Sequence, residues 1–286
     1  MPLLVAHRIT KSVQATRDFN RLVRLTTDTD ESHGSSCPPI TGTISFNNVS
    51  FSYPERPDVP VIRNITVDIN EGETVAIVGS SGSGKSTVAN LLQRLYEPTS
   101  GAISIGPWLL NGMDVRHLRN HIAVVSQNPH LFDATVSENI TYGTEGLPHT
   151  DVQLAAVAAN VHEFIEGLPQ GYQTLVGENA ALISGGQAQR LQIARAFVRP
   201  ANVLILDECT SALDAANQSA VLTTVLGAKA GRTTIMVTHK LPVMRMCDRI
   251  LVMHEGKIAE QGTYDELIAR RGVFAQLASG GEWSGE

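Results

Sequence analysis

Residues 74–87 read TVAIVGSSGSGKST. The first five form a short apolar run, the pattern of a strand buried on both faces. Residues 79–87 then match G-x-x-x-x-G-K-[ST], and a helical pattern continues over 85–95. Strand, glycine-rich turn and helix, in that order, are the context in which such a loop cradles phosphate. Gly79, Gly82 and Gly84 let the backbone curl without interference from Cβ atoms. Backbone N–H groups and the start of the next helix can then face an anion. Ser80, Ser81, Ser83 and Thr87 complete the expected phosphate-wrapping run. Lys85 adds a mobile cation for the outer phosphates, and Ser86 offers a hydroxyl to Mg2+.

Working outward, similar apolar runs recur at residues 122–126, 202–206, 233–238 and 249–253. Helical patterns at 150–166, 185–199 and 215–229 separate them. Strands alternating with helices predict an α/β fold, a P-loop NTPase core with a mostly parallel sheet. Residues 44–53 and 64–69 are rich in β-formers and predict an antiparallel β piece near 44–70. A helical subdomain is expected near 129–190. No internal repeat is visible, so one nucleotide-type domain is expected over 40–280, followed by a mobile tail at 281–286.

The start of the chain is different. Val5, Ile9, Val13, Phe19, Leu22 and Val23 form a helical stripe, with Arg8, Lys11, Arg17, Arg21 and Arg24 against the single Asp18. This is an amphipathic helix, read either as a solvated face or as a segment beside an anionic membrane surface. Residues 26–39 are polar and acidic and end in two prolines, which predicts a linker and a boundary near Ile40.

The 286 residues carry a formal net charge of −6, which gives no electrostatic reason to expect a nucleic-acid partner. Three separated cysteines form no disulfide framework. His117 and His121 read as two surface histidines. No run of about 18 apolar residues occurs, so no segment of this sequence is expected to span a bilayer.

The remaining chemistry gathers at predicted strand ends, where α/β sheets collect ligands. Asp207 closes the run VLILD and is placed to hold Mg2+ through a water. Glu208 follows and is expected to point elsewhere on the pleat, as the base for a water aimed at the γ-phosphate. His239 follows 233–238 and is assigned to the γ-phosphate. Gln127 follows 122–126 and is expected to ligate metal or orient water. Away from these strands, Ser184 and Gln187 have capping-box spacing, and Gly185 and Gly186 leave first-turn N–H groups bare. This is either a helix start alone or a second phosphate site.

A phosphate loop, a glutamine loop, SGGQ, VLILDECTSALD and a strand-end histidine, in that order, resemble the ATP-binding cassette (ABC) ATPase domains over residues 40–280. The resemblance implies ATP and Mg2+ as ligands and a head-to-tail dimer with a second cassette. Ser184, Gly185, Gly186 and Gln187 would then face the partner's nucleotide. It implies that Tyr53 stacks on adenine and that Asp214 lies at the dimer seam. The stretches SQNPHLFDATVSENI (126–140) and TLVGE (174–178) are similar to segments through which exporter cassettes meet their transmembrane domain. The whole looks like the C-terminal ATPase half of a fungal B-type exporter. Residues 1–39 would be the stub of its membrane connection, at the cytoplasmic face of the plasma membrane. Ile183, Ala188, Cys209 and the triplet Thr238–His239–Lys240 depart from the usual pattern without removing a phosphate, metal or base group. A soluble or truncated ABC ATPase that regulates or pairs with another ABC protein is the alternative.

Overall fold

The computed structural model describes residues 33–144, 146–177, 183–209, 213, 216, 219–223 and 232–279. The N-terminal amphipathic stripe, Asp214, Glu178, most of the 215–229 helical pattern and the C-terminal tail lie outside the described residues.

The predicted phosphate-loop strand is β3 (Thr74–Gly79), and its first five residues are all buried. It lies inside a six-stranded sheet with β6 (Ile122–Val125), β7 (Val203–Asp207), β8 (Thr233–Val237), β9 (Arg249–His254) and β10 (Lys257–Gly262). The order is β10-β9-β3-β8-β7-β6. The β3, β6, β7, β8 and β9 pairings are parallel, and only β10 on β9 runs antiparallel.

The apolar runs are continuous because each central strand serves two cores. Ala76 and Val78 of β3 face one core, and Val75 and Ile77 face the other. Leu204 and Leu206 against Val203 and Ile205 repeat the division on β7. Each full burial of such a side chain contributes roughly 1.5–3 kcal/mol, so both faces favour apolar residues, with Thr74, Thr233 and Thr234 as buried exceptions at the strand starts.

One core is closed by the second sheet, which packs with α1 (Lys85–Leu92) against the β3 face that carries Val75. That sheet has the order β2-β1-β4-β5, built from β1 (Ile44–Phe51), β2 (Ile62–Ile69), β4 (Ser100–Ile105) and β5 (Trp108–Leu109). It therefore extends past the expected limit near residue 70. Its last two strands were not evident in the sequence because β4 opens on two exposed residues, Ser100 and Gly101, and β5 is short and wholly exposed. The other core is covered by helices. Leu118 of α2 (Val115–Asn120) belongs to the first core, and the covering helices are α3 (Val136–Thr141), α4 (His149–Ala158), α5 (His162–Glu166) and α6 (Gly185–Val198). Residues of the later helices Leu241–Met246, Tyr264–Arg270 and Val273–Ala278 complete it.

The end of the stretch read as linker is tied to the domain. The N–H of Ser36 donates to Gly112 O at 3.1 Å, and the N–H of Asp114 donates to Ser36 O at 2.8 Å. His117 Nε2 lies 2.7 Å from Pro38 O. His117 and His121 are therefore half-buried parts of this attachment rather than free surface histidines. Arg94, just past α1, is 1% exposed. It donates to Glu97 Oε1 (2.8 Å), Met113 O (2.7 Å) and His33 O (2.9 Å).

Removing a buried donor that serves three acceptors strands each of them. Arg94→Met is expected to lower the unfolding free energy in a urea titration by about 2–4 kcal/mol. A loss below about 0.5 kcal/mol, the range of an ordinary surface change, would contradict this account of the attachment.

Candidate nucleotide site

The loop after β3 is held open by its glycines. Gly84 caps α1 with φ 100° and Gly79 has φ 150°. A Cβ on Gly79 would collide with the backbone oxygen of Met253 on the neighbouring strand. Lys85 Nζ folds back onto the loop and donates to Gly79 O at 3.0 Å and Ser80 O at 2.8 Å. Burial lowers the Lys85 pKa, while the charges of Glu208 and Asp207 oppose that shift.

The loop forms one wall of an open cleft of about 650 Å3. Tyr53, Val61, Gly79, Ser81, Gly82, Gly84, Lys85, Ser86, Thr87, Gln127, Asp207, Glu208 and His239 line it. The cleft thus brings together residues from six separate stretches of sequence. All lie at the carboxyl edge of the parallel strands, except Tyr53 and Val61, which come from the connection between β1 and β2 of the antiparallel sheet. Ser83 does not line the cleft: it is buried, and its Oγ has no hydrogen-bond partner among the described residues. Ser80 is also absent from the lining and contributes its carbonyl to Lys85. The aromatic ring of Tyr53 packs edge-on against Tyr96 at 5.1 Å, and its hydroxyl lies 3.0 Å from Thr87 Oγ1. Tyr53 is thus anchored to the phosphate-loop helix while one side remains at the cleft.

Glu208 departs from the expected pleat. Strand alternation would send Asp207 and Glu208 to opposite faces. Glu208 instead leaves the strand with φ 46°, a left-handed conformation costly for a residue other than glycine. This turn returns its carboxylate to the same cleft as Asp207. Gln127 Nε2 donates to Glu208 Oε2 at 2.8 Å, and His239 Nδ1 lies 3.6 Å from Glu208 Oε1. Asp207 accepts from the Ser86 hydroxyl. Burial raises its pKa, the nearby Glu208 adds to the rise, and Ser86 and Lys85 oppose it.

The donor set suits Mg2+. Among the described residues there is no group of three or more His, Cys, Asp or Glu that could cage a metal. A hydroxyl, a carboxylate and an amide oxygen beside a phosphate loop match an ion that takes few protein ligands and several phosphate and water oxygens. Gln127 donates through its nitrogen to Glu208, so its amide oxygen is not committed to that contact.

Ser184, Gly185, Gly186 and Gln187 do not line this cleft. They form the start of the 14-residue helix α6. Ser184 Oγ accepts from Gln187 N at 3.3 Å, and Gln187 Oε1 accepts from Ser184 N at 2.8 Å. The Gln187 side chain is therefore committed to the cap. Ser184 still has its own hydroxyl proton, and the N–H groups of Gly185 and Gly186 have no acceptor within the helix. Ser184 and Gly185 are exposed, and a Cβ on Gly185 would meet nothing within 4 Å. Chemically this helix start offers bare N–H donors and lies outside the lining of its own chain's cleft.

Residues 62–211 match the family model described as "ABC transporter". The chain is 48% identical over 238 residues to "ATP-binding cassette sub-family B member 5" of Homo sapiens, covering 83% of this chain and 19% of that protein. It is 48% identical over 245 residues to "ATP-dependent lipid A-core flippase" of Chromobacterium violaceum, covering 86% of this chain and 42% of that protein. A solved structure described as "Structure of a bacterial Atm1-family ABC exporter with ATP bound" superposes with a TM-score of 0.86 at 34% identity, covering 96% of this chain and 48% of the other. The chain thus spans less than half the length of each of these relatives. With the fold and the phosphate cleft described above, these matches establish the conclusion that the chain belongs to the ABC transporter family and carries its ATP-binding ATPase fold.

Proposed function

We propose that this chain is the nucleotide-binding domain of an exporter, hydrolysing ATP to move a substrate across a membrane. The observation that carries the reading is the convergence of Lys85, Gln127, Asp207, Glu208 and His239 on one cleft beside the phosphate loop.

In this reading, backbone N–H groups of residues 79–87 wrap the phosphates, and Lys85 exchanges its two carbonyl partners for phosphate oxygens. Tyr53 presents its free side to adenine. Ser86, Gln127 and Asp207 would hold Mg2+, which when bound neutralises charge on the β- and γ-phosphates. Glu208 accepts a proton from the attacking water as oxygen bonds to the γ-phosphorus. The bond to the β-phosphate oxygen breaks, leaving ADP and inorganic phosphate. Gln127 fixes the Glu208 carboxylate, and His239 donates to a γ-phosphate oxygen.

The bare start of α6 lies outside its own cleft, which supports its action on a second cassette. Ser184 and Gly186 would donate to the partner's γ-phosphate, and Gly185 would give it room. Gln187 would contribute by holding the cap rather than by touching phosphate.

A transmembrane-domain partner is supported by a surface next to the glutamine loop. The two exporter-like stretches pair there: Val136 N donates to Thr174 O at 3.0 Å, and Val176 N donates to Ala134 O at 3.2 Å. Phe132 and Tyr142 stack at 4.0 Å between ring centres, and both are exposed together with Leu175. No helix among the described residues is long and apolar enough to cross a membrane. The membrane-spanning part would therefore be supplied by segments or chains other than these helices, with the cassette on the cytoplasmic face of the plasma membrane.

Glu208→Gln keeps shape but removes the proton acceptor. It is expected to lower ATP turnover by about a hundredfold or more while leaving nucleotide affinity nearly unchanged. A turnover equal to that of the unmodified chain would eliminate Glu208 as the base.

Asp207→Asn tests the metal role separately. A carboxyl whose pKa is raised by folding weakens the fold as pH rises through that raised value. The neutral amide removes this penalty. The nucleotide-free variant should melt at the same or a higher temperature at neutral pH, with the difference shrinking toward the ordinary carboxylate value of 3.8. It should also lose most of the stabilisation that Mg-ATP confers on the unmodified chain. A clearly lower melting temperature without nucleotide, or full stabilisation by Mg-ATP, would contradict the assignment.

A further inference from the structure

The helix that begins at Ser184 is gripped to the stretch that carries Gln127. Gln189, Gln192 and Arg195 follow one another at intervals of three, so they share one face of α6. Gln189 is fully buried and Gln192 is 6% exposed. Gln189 Nε2 donates to Ser126 O at 3.2 Å, and Gln192 Nε2 donates to Ser126 Oγ at 2.8 Å. The Ser126 hydroxyl passes its own proton to Asn128 O at 2.9 Å. Both neighbours of Gln127 are thereby held, and Gln127 itself reaches Glu208. One turn further on, Arg195 donates to His130 O at 2.8 Å and to Asn139 O at 2.6 Å.

Two buried amides are an expensive way to fill a helix face. The Oε1 atoms of Gln189 and Gln192 have no hydrogen-bond partner among the described residues. A buried acceptor left in this way costs about 1–3 kcal/mol, which an aliphatic side chain would avoid. Stability alone does not account for these residues. Their N–H groups, both spent on Ser126, do.

We propose that Gln189 and Gln192 are positioning residues. They register the α6 helix against Ser126 and so set the place of Gln127 beside Glu208. The inference rests on the ATPase reading above and deepens it. The start of α6 faces the partner's nucleotide, whereas its buried face holds the glutamine of its own site. A displacement of α6 when the partner's γ-phosphate arrives would therefore reach Gln127 through Ser126, linking two composite sites within one chain.

The test uses the full chain, with ATP hydrolysis measured as a function of ATP concentration. Gln192→Leu keeps volume and removes the donor, and Ser126→Ala removes the acceptor. Each is expected to lower kcat at least about fivefold through misplacement of Gln127. KM for ATP should change by less than about twofold, because the phosphate loop and Lys85 are untouched. Gln192→Leu should melt no lower than the unmodified chain. The double variant should be no worse than the poorer single one, because both break one link. A kcat unchanged in both single variants, additive losses, or a loss that merely follows a fall in melting temperature would overturn the proposal. An unmodified chain that hydrolyses no ATP, with Glu208→Gln as its baseline, would instead count against the ATPase reading itself.

Discussion

Strand β3 is buried on both faces, and that constraint organises the rest of the molecule. A strand with water on neither side must be flanked by other strands and covered above and below. Here β8 and β9 flank it, the antiparallel sheet with α1 covers one face, and the helices cover the other. Such a strand can meet water only at its ends. Its carboxyl end is the glycine loop, and the parallel neighbours β6, β7 and β8 deliver Gln127, Asp207, Glu208 and His239 to the same edge. The site is therefore a consequence of parallel burial rather than of any one loop.

Burial also sets the electrostatic character of that edge. Lys85 and Asp207 each carry pKa values displaced toward their neutral forms, mainly by loss of water. A triphosphate with its cation would relieve both, giving the lysine an anion and the carboxylate a positive partner. Desolvation at Lys85 and Asp207 thus sits beside the conformational strain of the left-handed turn at Glu208. Strained and desolvated groups at a ligand edge are consistent with a cleft whose best partner is a charged nucleotide.

Much of this was legible in the sequence, because it depends on local rules. The loop spacing, the five parallel strands and the cap at Ser184 are read from residues that lie next to one another. The failures have a common physical origin in contacts between distant residues. Strand alternation misdirected Glu208, since nothing in the run VLILDE announces a positive φ. His117 was read as a surface residue because its partner, Pro38, is remote in sequence, and His121 packs behind it on His117 O. Nothing in the sequence of α6 singles out Gln189 and Gln192, whose shared partner Ser126 is remote in sequence. Strands β4, β5 and β10 were too short or too exposed for a clear pattern.

In the proposed reading each catalytic centre needs two cassettes: the phosphate loop and Glu208 of one, and the start of α6 of the other. Mixing two inactive variants tests it directly. A Ser184→Ala chain retains Glu208, and a Glu208→Gln chain retains Ser184, so a mixed dimer contains one complete site. The account predicts that an equimolar mixture recovers about a quarter of the unmodified rate, since half of randomly formed dimers are mixed and each has one of two sites intact. A mixture no faster than the mean of the two separate variants would contradict it.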